Sequence, residues 1–257
     1  MKLIAAIFIV LFSFTAYSQE YQVLHVKGKI VREEDGTLLK AGDKIDEKDK
    51  IRFVEKDAMA AVLSKEKGRY ILKATDSPSN ESDLVYIIKS AISPVRGQMS
   101  SRAGSINNDI DFQLYFGQVP YVWAGEVLKV AVSRATYPMN EERFFYIEYS
   151  YAGDWIGKKL GFEKDFIILD KATFFRLDET PIDPEKVSGY TLYYYDAVSE
   201  ESKRITDINF VLISQEELQQ VADQFPDLSS DSIYEIAAIF SSLYGKCDPL
   251  QLENNLK

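Results

Sequence analysis

His25 is the only imidazole and Cys247 the only thiol in the 257 residues of this chain. Nucleophilic catalysis needs a nucleophile with a base beside it, usually histidine, or a thiol whose pKa is lowered. His25 lies in an apolar-polar alternation, so it reads as a structural or surface strand residue rather than as the base for a serine or for Cys247. Lysine-assisted serine chemistry stays formally open, yet no Gly-x-Ser-x-Gly elbow supports it. One histidine and one cysteine make no conventional zinc or copper site. Calcium takes oxygen ligands alone, and Asp178, Glu179, Asp183 and Glu185, or Asp109 with Asp111, are conceivable ligands. They lack the Asp-x-Asp-x-Asp-Gly spacing, and solvated turns are the competing reading. No glycine-rich loop reads as a dinucleotide fingerprint or a P-loop. Paired carboxylates for glycoside hydrolysis are assembled in space, so spacing cannot exclude them. Among 40 acidic residues, coincidence supplies many pairs, and Glu148, between Tyr146 and Ser150, is the single nominee. No catalytic, cofactor or metal residue is therefore assigned.

Recognition groups remain. Trp123 stands in Tyr121-Val122-Trp123 after Pro120, and Trp155 follows Gly153-Asp154 at what reads as a hairpin tip. A tryptophan at a tip suits an anchor for a protein or sugar, against the alternative that both indoles pack in the core. Tyr193, Tyr194 and Tyr195 are consecutive, so a strand sends Tyr194 to the face opposite its neighbours. Arg96 and Arg102 lie in residues 93–109, an irregular stretch with Pro94, Gly97 and Gly104, where an anion or a partner would find cations in an acidic protein. A solvated connector is the competing reading there. The partner-binding candidates are thus Trp123, Trp155, Tyr194, Arg96 and Arg102.

The elements that would carry these groups are mainly strands. The aromatic share is 13%, and aromatic residues favour half-buried pleated surfaces. In the first part, Asp35-Gly36 and Ala41-Gly42-Asp43 mark turns between short strands at residues 21–28, 37–40, 50–54, 58–64 and 69–73. Residues 76–83 read as a polar loop and 84–89 as one more strand. In the second part, strand candidates are residues 112–116, 127–133, 144–151, 166–169, 173–177, 190–195 and 209–213, a spacing that suits an antiparallel sandwich. Ser214 with Glu217 is a capping box, and Leu218, Val221, Ala222 and Phe225 follow at helical spacing until Pro226. A second helix carries Ile233, Ile236, Ala237, Phe240 and Tyr244 and stops at Gly245. Asp248-Pro249 opens a short third.

The chain opens with Met1-Lys2, an apolar run over residues 3–14, and small residues Ala16 and Ser18. That is the pattern of a signal peptide cleaved after Ser18, and the run is short of the ~20 apolar residues of a spanning helix, the signature of an uncleaved anchor. The expectation is an exported protein, periplasmic or secreted, with no transmembrane segment after cleavage. With 30 basic against 40 acidic side chains and a net charge of −10, nucleic acid is an unsuitable partner.

Gly28, the run Leu39-Lys40-Ala41-Gly42-Asp43-Lys44-Ile45, Asp49-Lys50-Ile51, and residues 58–63 followed by Lys67-Gly68-Arg69-Tyr70-Ile71-Leu72 resemble the FecR-type periplasmic domain of bacterial signalling proteins. The resemblance covers about a quarter of the chain and implies a small β-domain; the family's cytoplasmic anti-sigma segment and transmembrane helix are not seen. Ser100-Ser101-Arg102-Ala103-Gly104, Asn107-Asn108-Asp109-Ile110-Asp111, Tyr137-Pro138-Met139-Asn140-Glu141 and Tyr193-Tyr194-Tyr195 make the mature chain similar to an exported bacterial family without an assigned activity. The expected organisation is a signal peptide at 1–18, a FecR-like small β-domain at 19–92, a linker at 93–110, an antiparallel β-sandwich at 111–213 and a C-terminal α-helical hairpin at 214–257. The expected function is a non-enzymatic module that binds an envelope or secreted protein. A carboxylate-dependent hydrolase of envelope polysaccharide and a glycan-binding module are the alternatives.

Overall fold

The computed structural model describes residues 20–46, 49–64, 68–73, the backbone of 87–88, 105–117 and 119–257. The signal-peptide segment, the 76–83 loop, Arg96 and Arg102 lie outside the described residues. The chain is mainly β, with its longest helix near the C-terminal end.

The first unit contains β1 (Glu20–Lys27), β2 (Ile30–Arg32), β3 (Lys44–Asp46), β4 (Ile51–Phe53), β5 (Met59–Ser64), β6 (Gly68–Lys73) and β7 (Ile87–Ile88). Five of these form a sheet in the order β3-β1-β5-β6-β7, and β2 pairs with β4 in a separate ribbon. Tyr21, Val23, Ile30, Ile45, Ile51, Val62 and Leu72 fill a core of their own. The alternation in β1 predicts His25 on the face of Val23, but a register shift between Val23 and His25 changes the phase. Such a bulge inserts a residue and re-aims those beyond it. Leu24 and His25 consequently meet the C-terminal helices, while Val26 packs on the small core.

The second unit starts with α1 (Asp109–Phe116), where a strand over 112–116 is expected from sequence. Phe112, Leu114 and Phe116 satisfy a period of two, but the buried pair Phe112 and Phe116 also fits the i, i+4 spacing of a helix. The local cap decides: the Asn108 side chain accepts from the Asp111 N–H, and Asp109 and Asp111 complement the helix dipole. The following elements are β8 (Tyr121–Ala124), β9 (Val127–Ala131), β10 (Arg143–Tyr151), β11 (Asp154–Lys159), β12 (Gly161–Glu163) and β13 (Phe166–Asp170). The strand expected at 173–177 is also partly helical. Asp170 caps the short α2 (Lys171–Phe174) by accepting from the Ala172 N–H, and only β14 (Arg176–Leu177) is extended. Then come β15 (Thr180–Pro181), β16 (Val187–Asp196), β17 (Glu201–Ile208) and β18 (Phe210–Ile213).

A four-stranded antiparallel sheet, β11-β10-β16-β17, and a three-stranded one, β12-β13-β9, share one core. Inward residues alternate along each strand: Phe145, Ile147 and Tyr149 on β10, Leu128 and Val130 on β9, Ile167 and Leu169 on β13. The pair β8-β18 runs parallel, in contrast to the rest. All four residues of β8 are buried, because Tyr121 and Trp123 face the sandwich core while Val122 and Ala124 face the helices.

Three helices close the chain: α3 (Gln215–Ala222), α4 (Ser230–Tyr244) and α5 (Pro249–Leu256). The capping box of Ser214 and Glu217, the stop at Gly245 and the Asp248 cap with proline in the first turn are all present. The helices fill the space between the two β units. Their core takes Leu24, Ala61 and Ile71 from the first unit and Val122, Ala124 and Ile213 from the second. No helix among the described residues is long and apolar enough to cross a membrane.

Candidate functional site

The antiparallel sheet β11-β10-β16-β17 has one face in the sandwich core and one turned outward. Because side chains alternate, β10 sends Phe144, Tyr146, Glu148 and Ser150 outward, and register pairs them with Tyr195, Tyr193, Thr191 and Ser188 of β16. On the other side Trp155, Gly157 and Lys159 of β11 stand opposite Ser150, Glu148 and Tyr146. The rings meet across the strands. Tyr146 and Tyr193 stack with centroids 5.0 Å apart and planes 9° apart, and Phe144 lies 5.2 Å from Tyr195. Cross-strand aromatic pairs of this kind hold a sheet register.

Trp155 is the most exposed of these groups, at 68%. It follows a two-residue turn in which Ala152 and Gly153 both have positive φ, the twist that suits a tight antiparallel hairpin. Its six-membered ring reaches over Gly189, where a Cβ would stand 3.4 Å from Cη2. Gly189 also has φ of +71°, so a side chain there would meet both backbone strain and the indole. None of Trp155, Tyr146, Tyr193, Phe144 and Tyr195 belongs to any of the three apolar cores.

The charged groups on this face are engaged locally. Lys159 Nζ sits 4.4 Å from the Phe144 ring centroid and 2.7 Å from Glu141 Oε2. Arg204 Nη2 donates to Asp207 Oδ1 at 2.6 Å, and Thr191 Oγ1 donates to the same oxygen at 2.8 Å. Partial burial, and then the neighbouring Glu148 carboxylate, push the Tyr193 hydroxyl above its ordinary pKa. Glu148, the carboxylate nominated from sequence, thus lies on an open sheet face between Tyr146 and Ser150 rather than in a cleft.

The five sequence-derived candidates fare differently. Trp155 is on this face. Trp123 is fully buried, packed against Phe174, Phe175 and Phe210, so it anchors the core and no partner. The reason is β8 itself, covered on both sides. Tyr194 points inward, 5.0 Å from Phe145 and 5.3 Å from Tyr137, with its hydroxyl donating to Pro138 O at 2.7 Å. The outward tyrosines are its neighbours, Tyr193 and Tyr195. Arg96 and Arg102 are not among the described residues. Sequence reasoning passed over Phe144 and Tyr146, although their alternation with Phe145 and Ile147 was the available signal.

A second, smaller feature is a concavity of 260 Å³ lined by Asn108, Asp109, Thr136, Tyr137, Tyr194 and Lys203. Three of the segments that carry the whole-chain resemblance, around Asp109, Tyr137 and Tyr194, converge there. Lys203 Nζ lies 2.6 Å from Asp109 Oδ2, and the Tyr137 hydroxyl donates to Asp109 Oδ1. Burial pushes the Asp109 carboxyl up, but the bonds from Lys203 and Tyr137 outweigh it and hold the pKa low. These groups satisfy one another and tie the start of α1 to the sheet. Asp111 likewise accepts from the Asn107 N–H, and Asp183 from Glu185 N–H. Among the described residues no three His, Cys, Asp or Glu side chains are placed to hold a metal ion.

His25 and Cys247 are both buried in structural settings. A His25 ring nitrogen is 2.8 Å from the Tyr244 hydroxyl. Burial raises the Cys247 thiol far above its ordinary range, which disfavours the thiolate that a nucleophile needs. No family model, no curated protein and no solved structure matches this chain.

Proposed function

We propose that this protein is an exported, non-catalytic binding module that holds its partner on the outer face of β11-β10-β16-β17. The observation that carries this reading is the group of five aromatic residues on that face, none of which serves a core. Trp155 is exposed and the other four rings are half-buried; aromatic rings at rigid sheet positions supply contact area at low conformational cost, which is why tryptophan and tyrosine dominate binding hot spots. The signal-peptide pattern and the resemblance of the N-terminal unit to the FecR-type periplasmic domain support a cell-envelope setting.

The test is retention of envelope material on the immobilised protein, comparing the wild type with Trp155→Ala. Retention that depends on Trp155 is expected. Equal retention by the two proteins, with equal thermal stability, removes this face from the reading. In the same preparation, mass spectrometry of the exported protein is expected to find Gln19 at the amino terminus.

A further inference from the structure

We infer that the ligand of this face is a neutral glycan, a chain of pyranose rings; the inference rests on the binding-module reading above. Its first ground is the order of groups along the face. Trp155 stands beside Ser150, Glu148 and Thr191 come next, the Tyr146-Tyr193 pair follows, and the Phe144-Tyr195 pair ends the row. Ser150 and Tyr146 are four residues apart on one strand, about 13 Å at the rise of a β-strand. A pyranose ring has an apolar C–H face and a rim of hydroxyl groups. A row of aromatic rings separated by carboxylate and hydroxyl oxygens, as here, offers it both kinds of contact.

The second ground is shape. Gly157 lies opposite Glu148 and presents no side chain, and the nearest neighbour a Cβ would meet there is Tyr146 Cδ2 at 3.8 Å. Gly189, lacking a side chain, lets the Trp155 ring lie directly against the β16 backbone. With no side chain at either position, the face stays low and open between the indole and the tyrosine pair, where Glu148 and Thr191 stand.

Charge complementarity is the third ground and selects a neutral polymer. The whole chain carries −10, which opposes an anionic polysaccharide. On the face itself Lys159 and Arg204 stand against Glu148, Asp207 and Glu141, which leaves it slightly acidic and adds to that opposition. A basic peptide is less suited than it first looks, because the protein's own cations already occupy these positions: Lys159 covers the Phe144 ring, and Arg204 stands opposite Tyr193 in register.

The indoles provide the assay. Trp123 is fully buried and Trp155 is 68% exposed, so the solvent-sensitive part of the emission belongs to Trp155. The purified protein is titrated with neutral oligosaccharides of four to six pyranose units and, in parallel, with an anionic polysaccharide. A saturable blue shift with a neutral member is expected. Affinity is expected to fall at least tenfold in Trp155→Ala and in Tyr146→Ala, with melting temperatures within a few degrees of wild type. The absence of saturable binding to every neutral oligosaccharide overturns the glycan assignment. If Trp155-dependent retention of an envelope protein free of carbohydrate persists in that case, the binding face stands and only its ligand class falls. Loss of both overturns the face as well. Preferential binding of the anionic polymer also refutes the assignment.

Discussion

His25 meets the Tyr244 hydroxyl at 2.8 Å and packs edge-on against Phe240 with centroids 5.3 Å apart. Burial lowers its pKa below the usual histidine value of 6.5, and Glu217 on α3 opposes that only in part. Ala61 of β5 is its partner in register, and the Lys27 ammonium lies 5.6 Å from the ring centroid of its hydrogen-bond partner Tyr244. A histidine with a lowered pKa in the folded state binds fewer protons there than in the unfolded chain. Stability conferred by the neutral ring is therefore complete above pH 6.5 and is lost as pH falls from 6.5 towards the folded pKa. The slope has a ceiling of about 1.4 kcal/mol per pH unit for one proton. Because the chain has no other histidine, the difference between wild type and His25→Gln isolates the effect. Urea unfolding between pH 5 and 7 is expected to show a steeper loss of stability for the wild type; parallel profiles would refute it. Nothing in the sequence marked His25 for this position, since the bulge that turns it towards α4 depends on pairing with β5.

At the scale of elements, α5 is held to β8 and β9 by two amide side chains. Gln251 Nε2 donates to Val122 O at 3.3 Å and to Ala124 O at 3.2 Å. Asn255 Oδ1 accepts from the Glu126 and Val127 N–H groups, and its Nδ2 donates to Val127 O at 2.8 Å. The side chains of a helix thus satisfy backbone groups that a neighbouring strand would otherwise pair. Asn255→Leu leaves three main-chain groups without partners and is expected to cost about 2–4 kcal/mol, read from the urea midpoint at unchanged slope. A cost below about 0.5 kcal/mol would show that water replaces the amide. The helix ends themselves were legible: the Ser214-Glu217 box, Gly245 and Asp248-Pro249 act over three or four residues and need no tertiary partner. The aromatic runs 112–116 and 173–177 were misread because both periods fit them and a single asparagine or aspartate cap decided the outcome. β17 carries Ser202, Lys203, Arg204 and Asp207, so its polar surface hid a strand that only Ile205 and Ile208 tie to the core. The open aromatic face was half legible. Trp155 at its hairpin tip could be named, but which of three adjacent tyrosines faces outward depends on the register of β16 against β10.

For the whole molecule, the arrangement of the helices determines how it unfolds. Sequence divides the chain into a small β unit, a sandwich and C-terminal helices. In the structure Ile236, Ile239 and Phe240 of α4 share one core with Leu24, Ala61 and Ile71 on one side and Val122, Ala124 and Ile213 on the other. Arg69 of β6 pairs with Glu235 of α4, and Gln224 donates to Leu24 O at 2.8 Å, so polar contacts reinforce the junction with the first unit. Neither β unit can shed the helices without exposing apolar surface of its own. The two are therefore expected to unfold in one transition. Phe240 is fully buried in this shared layer and touches His25 as well as the helices, so Phe240→Ala is expected to cost about 3–5 kcal/mol. The informative quantity is where that loss appears. Trp123 fluorescence reports the sandwich, and amide exchange of β1 and β5 reports the first unit. Both are expected to shift to lower urea by the same amount in Phe240→Ala. If β1 and β5 open at lower urea while Trp123 keeps its wild-type midpoint, the helical layer belongs energetically to the sandwich alone, and the first unit is a separable attachment.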